Sequence, residues 1–185
     1  MNPWITIWTK PSETIDKLKD SNWVNGQGFL PYFIFGINAA SESDIPRLFG
    51  YESKLEGLII TFITIIILGL LGGIIIKAVW VSIIFYFGKI WKGQASRKNI
   101  DTVLALSLIP EIFKLVNLII SYLIHDNIED AKVDYAVTII CYLISFRILI
   151  IGLTKIQKFT YGISILNLFV PQLIFGVLYY LIRGL

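Results

Sequence analysis

The stretch that decides the fold is Leu58 to Phe87, LIITFITIIILGLLGGIIIKAVWVSIIFYF, closed by the basic turn Gly88 to Lys98, GKIWKGQASRK. Lys77 is the only charge in the apolar part. As one straight helix it would measure about 45 Å, more than the roughly 30 Å of a bilayer's hydrocarbon core. Hydrocarbon offers no partner for backbone amides, so such a run must close its hydrogen bonds within itself. The reading is a transmembrane helix, with Gly69, Gly72 and Gly73 marking where it tilts, kinks or breaks.

Four further apolar segments flank it. Phe29 to Ala40 (FLPYFIFGINAA) is short, contains Pro31 and Gly36, and needs Gly26 to Gly28 and Ala39 to Ser43 to cross. Ile100 to Ile124 contains Pro110, Val133 to Leu153 follows, and Tyr161 to Ile182 contains Pro171. Kinks are expected at both prolines, because each removes a hydrogen bond inside a span. The expected fold class is all-α: an integral membrane bundle of five transmembrane helices (residues 25–185) behind a short amphipathic N-terminal segment (residues 1–24).

Charges in the gaps orient the chain. Lys89, Lys92, Arg97 and Lys98 lie between the second and third segments, and Lys155 and Lys158 between the fourth and fifth. The gap between them is acidic, with Asp126, Glu129, Asp130 and Asp134 against Lys132, and the first gap mixes Arg47 and Lys54 with Glu42, Asp44, Glu52 and Glu56. The positive-inside rule therefore puts the N-terminus and both basic loops in the cytoplasm and the Arg183 tail outside, which an odd number of crossings satisfies. Splitting the long segment at its glycines would force a basic loop onto the wrong face. The expected location is a bacterial cytoplasmic (inner) membrane.

Composition agrees: 56% hydrophobic and 14% aromatic residues with a mean hydropathy of +0.73 exceed the roughly 45–50% apolar share of soluble domains. Cys141 stands alone, which excludes a disulfide framework and suits a small buried hydrophobe. The opening MNPWITIWTKPSETIDKLKD lacks the basic, apolar and small-residue order of a secretory signal. Asn2 before Pro3 reads as an N-cap and first-turn proline, with Trp4, Trp8, Ile15 and Leu18 on one face and an interruption near Pro11. That pattern suits equally a segment in the headgroup layer and a helix packed on the bundle.

The motif NPW-x3-W-x-KP-x-ETI (Asn2 to Ile15), the stretch FGKIWKGQAS (Phe87 to Ser96) and TVLALSLIPEIF (Thr102 to Phe113) together resemble bacterial members of the Yip domain family. The resemblance covers most of the chain and implies five spans with a cytoplasmic N-terminus. Eukaryotic relatives are associated with Rab-type GTPases and early secretory traffic. The opening here is of the bacterial kind, so what the resemblance implies is architecture rather than an activity.

Charges within spans are the best functional pointers, since each is costly or finds a partner. Counted from the basic end at 1.5 Å per residue, Glu111 lies about 16 Å deep, Lys77 about 15 Å, Arg147 about 9 Å, Asn167 about 9 Å and Gln172 about 16 Å. Lys114, three residues after Glu111, can pair with it on one face. Lys77, Glu111, Lys114 and Arg147 would then form a polar network with three positive charges to one negative, an excess that invites a lipid phosphate or a small anion. The plainer reading has Glu111 bridging two cations while Arg147 snorkels to the interface.

The loop carrying Lys89, Lys92, Arg97 and Lys98 reads first as a topology determinant and second as a dock for anionic headgroups or an acidic partner, with Trp91 as an interfacial anchor. His125, the lone histidine, reads as interfacial beside Asp126, and the sequence offers no set of zinc ligands, nucleophile triad or phosphate-binding loop. No cofactor, metal or nucleic-acid partner is expected. The reading is a non-enzymatic membrane protein that organises membrane proteins or lipids, with anionic lipids, a homo-oligomer or another membrane protein as partners. The alternative is a lipid or small-anion carrier or channel built on the intramembrane cluster.

Overall fold

The computed structural model describes residues 2–41, 54–125 and 134–183. Most of the mixed first gap and of the acidic gap, with the final two residues, lies outside the described residues. Within them every regular element is a helix: α1 (Pro3–Thr9), α2 (Pro11–Leu18), α3 (Trp23–Gly26), α4 (Phe29–Ser41), α5 (Lys54–Ile90), α6 (Arg97–Ser107), α7 (Glu111–His125), α8 (Tyr135–Gln157) and α9 (Tyr161–Arg183). Several boundaries follow from local chemistry. The Asn2 carboxamide accepts from Trp4 N at 3.1 Å and caps α1, Pro11 opens α2, and Ser96 and Asp134 cap α6 and α8.

Four stretches are long and apolar enough to cross a membrane: Ile59–Ile90, Arg97–Ser121, Tyr135–Gln157 and Tyr161–Arg183. Helix α4, at 13 residues, is shorter.

The glycines of α5 do not break it. Helix α5 runs unbroken for 37 residues, and its glycines face α4. A Cβ on Gly36 would overlap the Gly69 carbonyl oxygen, and one on Gly73 would lie 2.9 Å from the Tyr32 carbonyl oxygen. Gly69-x3-Gly73 is thus the small-residue surface on which the α4 backbone rests, a close approach that in lipid replaces hydrophobic attraction as the reason two helices associate.

The two prolines part company. At Pro110 the chain does more than kink: α6 ends at Ser107 and α7 begins at Glu111, with a turn between. Pro171 sits inside α9, which continues through it.

Packing is uneven along the bundle axis. We call the end where α5 and α8 finish and α6 and α9 begin the basic end. There α6 is enclosed by α5, α8, α2, α3 and α4, and Ile100 and Thr102 to Ser107 are all buried. Ile84, Ile148 and Leu153 join them in one core. Ile7 and Ile15, both fully buried, belong to the same core, so α1 and α2 lie against the bundle. Lys155 pairs with Asp16, and its Nζ donates to Ser12 O at 3.0 Å; Lys98 donates to Asn22 Oδ1 at 2.9 Å. Away from this end the helices present apolar side chains outward, from Ile59 to Val79 on α5 and over Leu173 to Ile182 on α9, where every position from Gln172 to Arg183 is exposed.

Candidate functional site

The polar groups inside the bundle are organised by α4 and by the α6–α7 break. Ending α6 at Ser107 leaves carbonyls that the turn takes up, Leu108 N donating to Leu104 O and Ala105 O and Ile109 N to Leu106 O, and side chains add bonds around the break. Asn38 Nδ2 donates to Glu111 O at 2.9 Å, Cys141 Sγ to Pro110 O at 3.3 Å, and Ser107 Oγ to Leu104 O at 2.7 Å.

At the break sits the first ion pair. Lys114 Nζ lies 3.2 Å from Glu111 Oε2, and the two side chains are 2% and 1% exposed. Asn38 Nδ2 also donates to Glu111 Oε2 at 3.0 Å, and the Lys114 ammonium lies 4.8 Å from the Tyr142 ring centroid. The site therefore draws on α4, α7 and α8. Its hydrogen bonds and the aromatic face offset the desolvation of both charges.

The second pair lies nearer the basic end. Lys77 Nζ is 3.1 Å from Asp101 Oδ2, and Tyr32 donates its hydroxyl to Asp101 Oδ1 at 2.8 Å. The Tyr32 ring faces the same ammonium at 5.7 Å. Tyr32 and Asn38 stand six residues apart on α4, about 9 Å of helix rise, so one short helix serves both pairs.

This arrangement differs from the single cationic cluster read from the sequence. Lys77 is neutralised by Asp101, a residue that reading passed over although it stands one position inside the third apolar segment. Glu111 and Lys114 do pair, as their spacing predicts. Arg147 is exposed on α8 and makes no ion pair among the described residues. Asn167 is fully buried and donates to Ile84 O at 3.3 Å, whereas Gln172 is exposed beside a shallow apolar depression along α9. The geometry thus holds two neutral pairs in place of one group with excess positive charge. Tyr32, Asn38 and Tyr142 are further members that the sequence reading missed; a lone Asn within the apolar FLPYFIFGINAA was the available signal.

Of the basic turn, Lys89, Lys92 and Arg97 are exposed and make no ion pair among the described residues. Asp16, outside the spans, has its carboxyl held below the usual carboxylate value by the hydrogen bond from Lys155, against a smaller opposing effect of burial.

The helical arrangement and the sequence match in one further respect. Residues 5–182 match the Yip1 domain, nearly the whole chain. This chain belongs to the Yip1 family. None of the curated proteins and none of the solved structures matches it. Membership of the Yip1 family, together with the long apolar helices, makes it an integral membrane protein.

Proposed function

We propose that this Yip1 chain is a non-enzymatic organiser of membrane proteins or lipids, crossing a bacterial cytoplasmic membrane five times with its N-terminus inside and C-terminus outside. The observation that carries the reading is the far half of α9, exposed and apolar over Leu173 to Ile182, in a chain whose deeply buried charges are spent on each other. Such a molecule offers surface for contact rather than groups for turnover. The five-span topology draws support from the direction of the elements. Lys98 meets Asn22 and Lys155 meets Asp16, so the N-terminal helices lie at the basic end, and α9 leaves from that end. Crosslinking in native membranes is expected to recover a defined protein partner or a homo-oligomer. A catch of monomer alone overturns the reading.

A second reading, a lipid or small-anion carrier, is favoured by one observation: Arg147 is exposed on α8 without a carboxylate. Flux of anionic lipid across reconstituted vesicles that disappears in Arg147→Ala would support it, and undiminished flux would end it.

A further inference from the structure

The two basic loops are far apart in sequence and joined in space. Gln94 N donates to Gln157 O at 3.3 Å and Ala95 N to Gln157 Oε1 at 3.2 Å, while Gly88 and Gly93 pack on the Gln157 side chain. The turn after α5 is thereby fastened to the last residue of α8, and Lys158 follows directly. Four exposed cations, Lys89, Lys92, Arg97 and Lys158, occupy this rim without an ion pair among the described residues.

Two of them are held in place by aromatic rings. The Lys89 ammonium lies 5.3 Å and the Arg97 guanidinium 5.2 Å from the centroid of the same ring, Phe85. Arg97 also donates to the Tyr86 hydroxyl at 2.6 Å, and Lys89 to Gly93 O at 3.0 Å. Like charges fixed around one ring repel unless an anion joins them.

Local backbone rules are broken at the other two. Helix α5 closes with Gly93 N donating to Gly88 O and Lys92 N to Lys89 O, and α8 closes with Lys158 N and Phe159 N both donating to Thr154 O. Each closure contains a left-handed residue, Lys92 at φ 59° two positions after α5 and Lys158 at φ 58° directly after α8. Glycine is the usual occupant because a Cβ is strained there. Among the described residues these are the non-glycine positions with positive φ, and both are lysines of the basic rim. A cation at a helix C-terminus gains from the dipole. That gain cannot account for Arg97 and Lys98, which occupy the first turn of α6, where the dipole opposes them and no acidic residue shares the turn.

We propose that Lys89, Lys92, Arg97 and Lys158 form one binding surface for the phosphate of anionic lipid headgroups in the leaflet facing the basic end. Exposed Tyr86 and Ile90 on the last turns of α5, and Tyr161 at the start of α9, supply the apolar and aromatic contact that distinguishes a lipid from a free anion. The proposal rests on the membrane placement given above and names the lipid class that such an organiser would gather.

The test is lipid retention by the full chain, purified after equilibration in vesicles of phosphatidylcholine and phosphatidylglycerol and weighed by native mass spectrometry. Lys89→Gln with Arg97→Gln is expected to lower retained phosphatidylglycerol about fivefold per cation removed, leaving phosphatidylcholine unchanged. Lys92→Gly with Lys158→Gly is the sharper variant. It relieves the left-handed strain, so thermal stability in zwitterionic detergent is kept or raised while phosphatidylglycerol is lost. Retention equal to wild type in both variants overturns the proposal. So does an equal loss in Lys10→Gln with Lys17→Gln, which would reduce the effect to net charge, or displacement of the lipid by excess inorganic phosphate. Crosslinked partners recovered in the same membranes report on the organising role separately, so either idea can fail alone.

Discussion

The two halves of the bundle solve the problem of burial in opposite ways. At the basic end α6 is wrapped on all sides, Leu153 is 0% exposed, and even the N-terminal helices contribute Ile7 and Ile15 to the core. In the far half Leu173 on α9 is 65% exposed, and α5 presents a ladder of isoleucines outward. A water-soluble protein with that far half would aggregate; in a bilayer the same surface is already in its solvent, and packing is reserved for the polar pairs and for the glycine contact between α4 and α5.

The contrast can be tested by unequal insults. The largest effect is expected from orphaning a buried charge: Lys114→Met leaves Glu111 without its ammonium and should cost about 3–5 kcal/mol. Lys114→Met with Glu111→Gln should cost less than that single change. Unfolding in mild detergent, run as a double-mutant cycle, measures both. If the single change is harmless, the pair is not buried as described.

Truncating leucines compares the halves directly. Leu153→Ala should destabilise by about 2–5 kcal/mol, whereas Leu173→Ala should fall within about 0.5 kcal/mol of wild type. Similar losses at both positions would mean that the α9 face is covered by protein.

A small, pH-dependent effect is expected at the seam between α2 and α8. Asp16 titrates below its usual value of 3.8 because of Lys155, so its contribution is present above that pH and is lost as the pH falls through the lowered folded value. Nearly half of the Asp16 side chain is exposed, which keeps the contribution under about 1 kcal/mol. Tryptophan fluorescence from Trp4 and Trp8 should be flat from neutral pH to about 4 and shift below it in wild type. Asp16→Asn should show the shifted signal throughout.

Much of this architecture could be read from the residues. Apolar runs, the Asn2-Pro3 cap and the interruption at Pro11 mark where helices lie and start, because capping and amide pairing are local. The intramembrane site was legible only in part. The Glu111–Lys114 spacing is written within one helix turn, whereas the partners of Lys77 and of the Glu111 carbonyl come from α6 and α4, and no local period encodes which helices touch. The glycines of α5 were read as weak points when they are a docking surface; a GxxxG spacing in an apolar run was the overlooked signal. Arg147 and Gln172 share a depth with the network yet face outward, since depth along a helix says nothing of its rotation.

The brevity of α4 bears on how the chain enters the membrane. Its 13 residues rise about 20 Å, its glycine needs the α5 backbone, and its Asn38 amide answers a carbonyl 73 positions downstream. Translation completes α4 before the glycines of α5 and the Glu111 carbonyl of α7 exist, so the contacts of Gly36 and Asn38 form only after those later helices have been made.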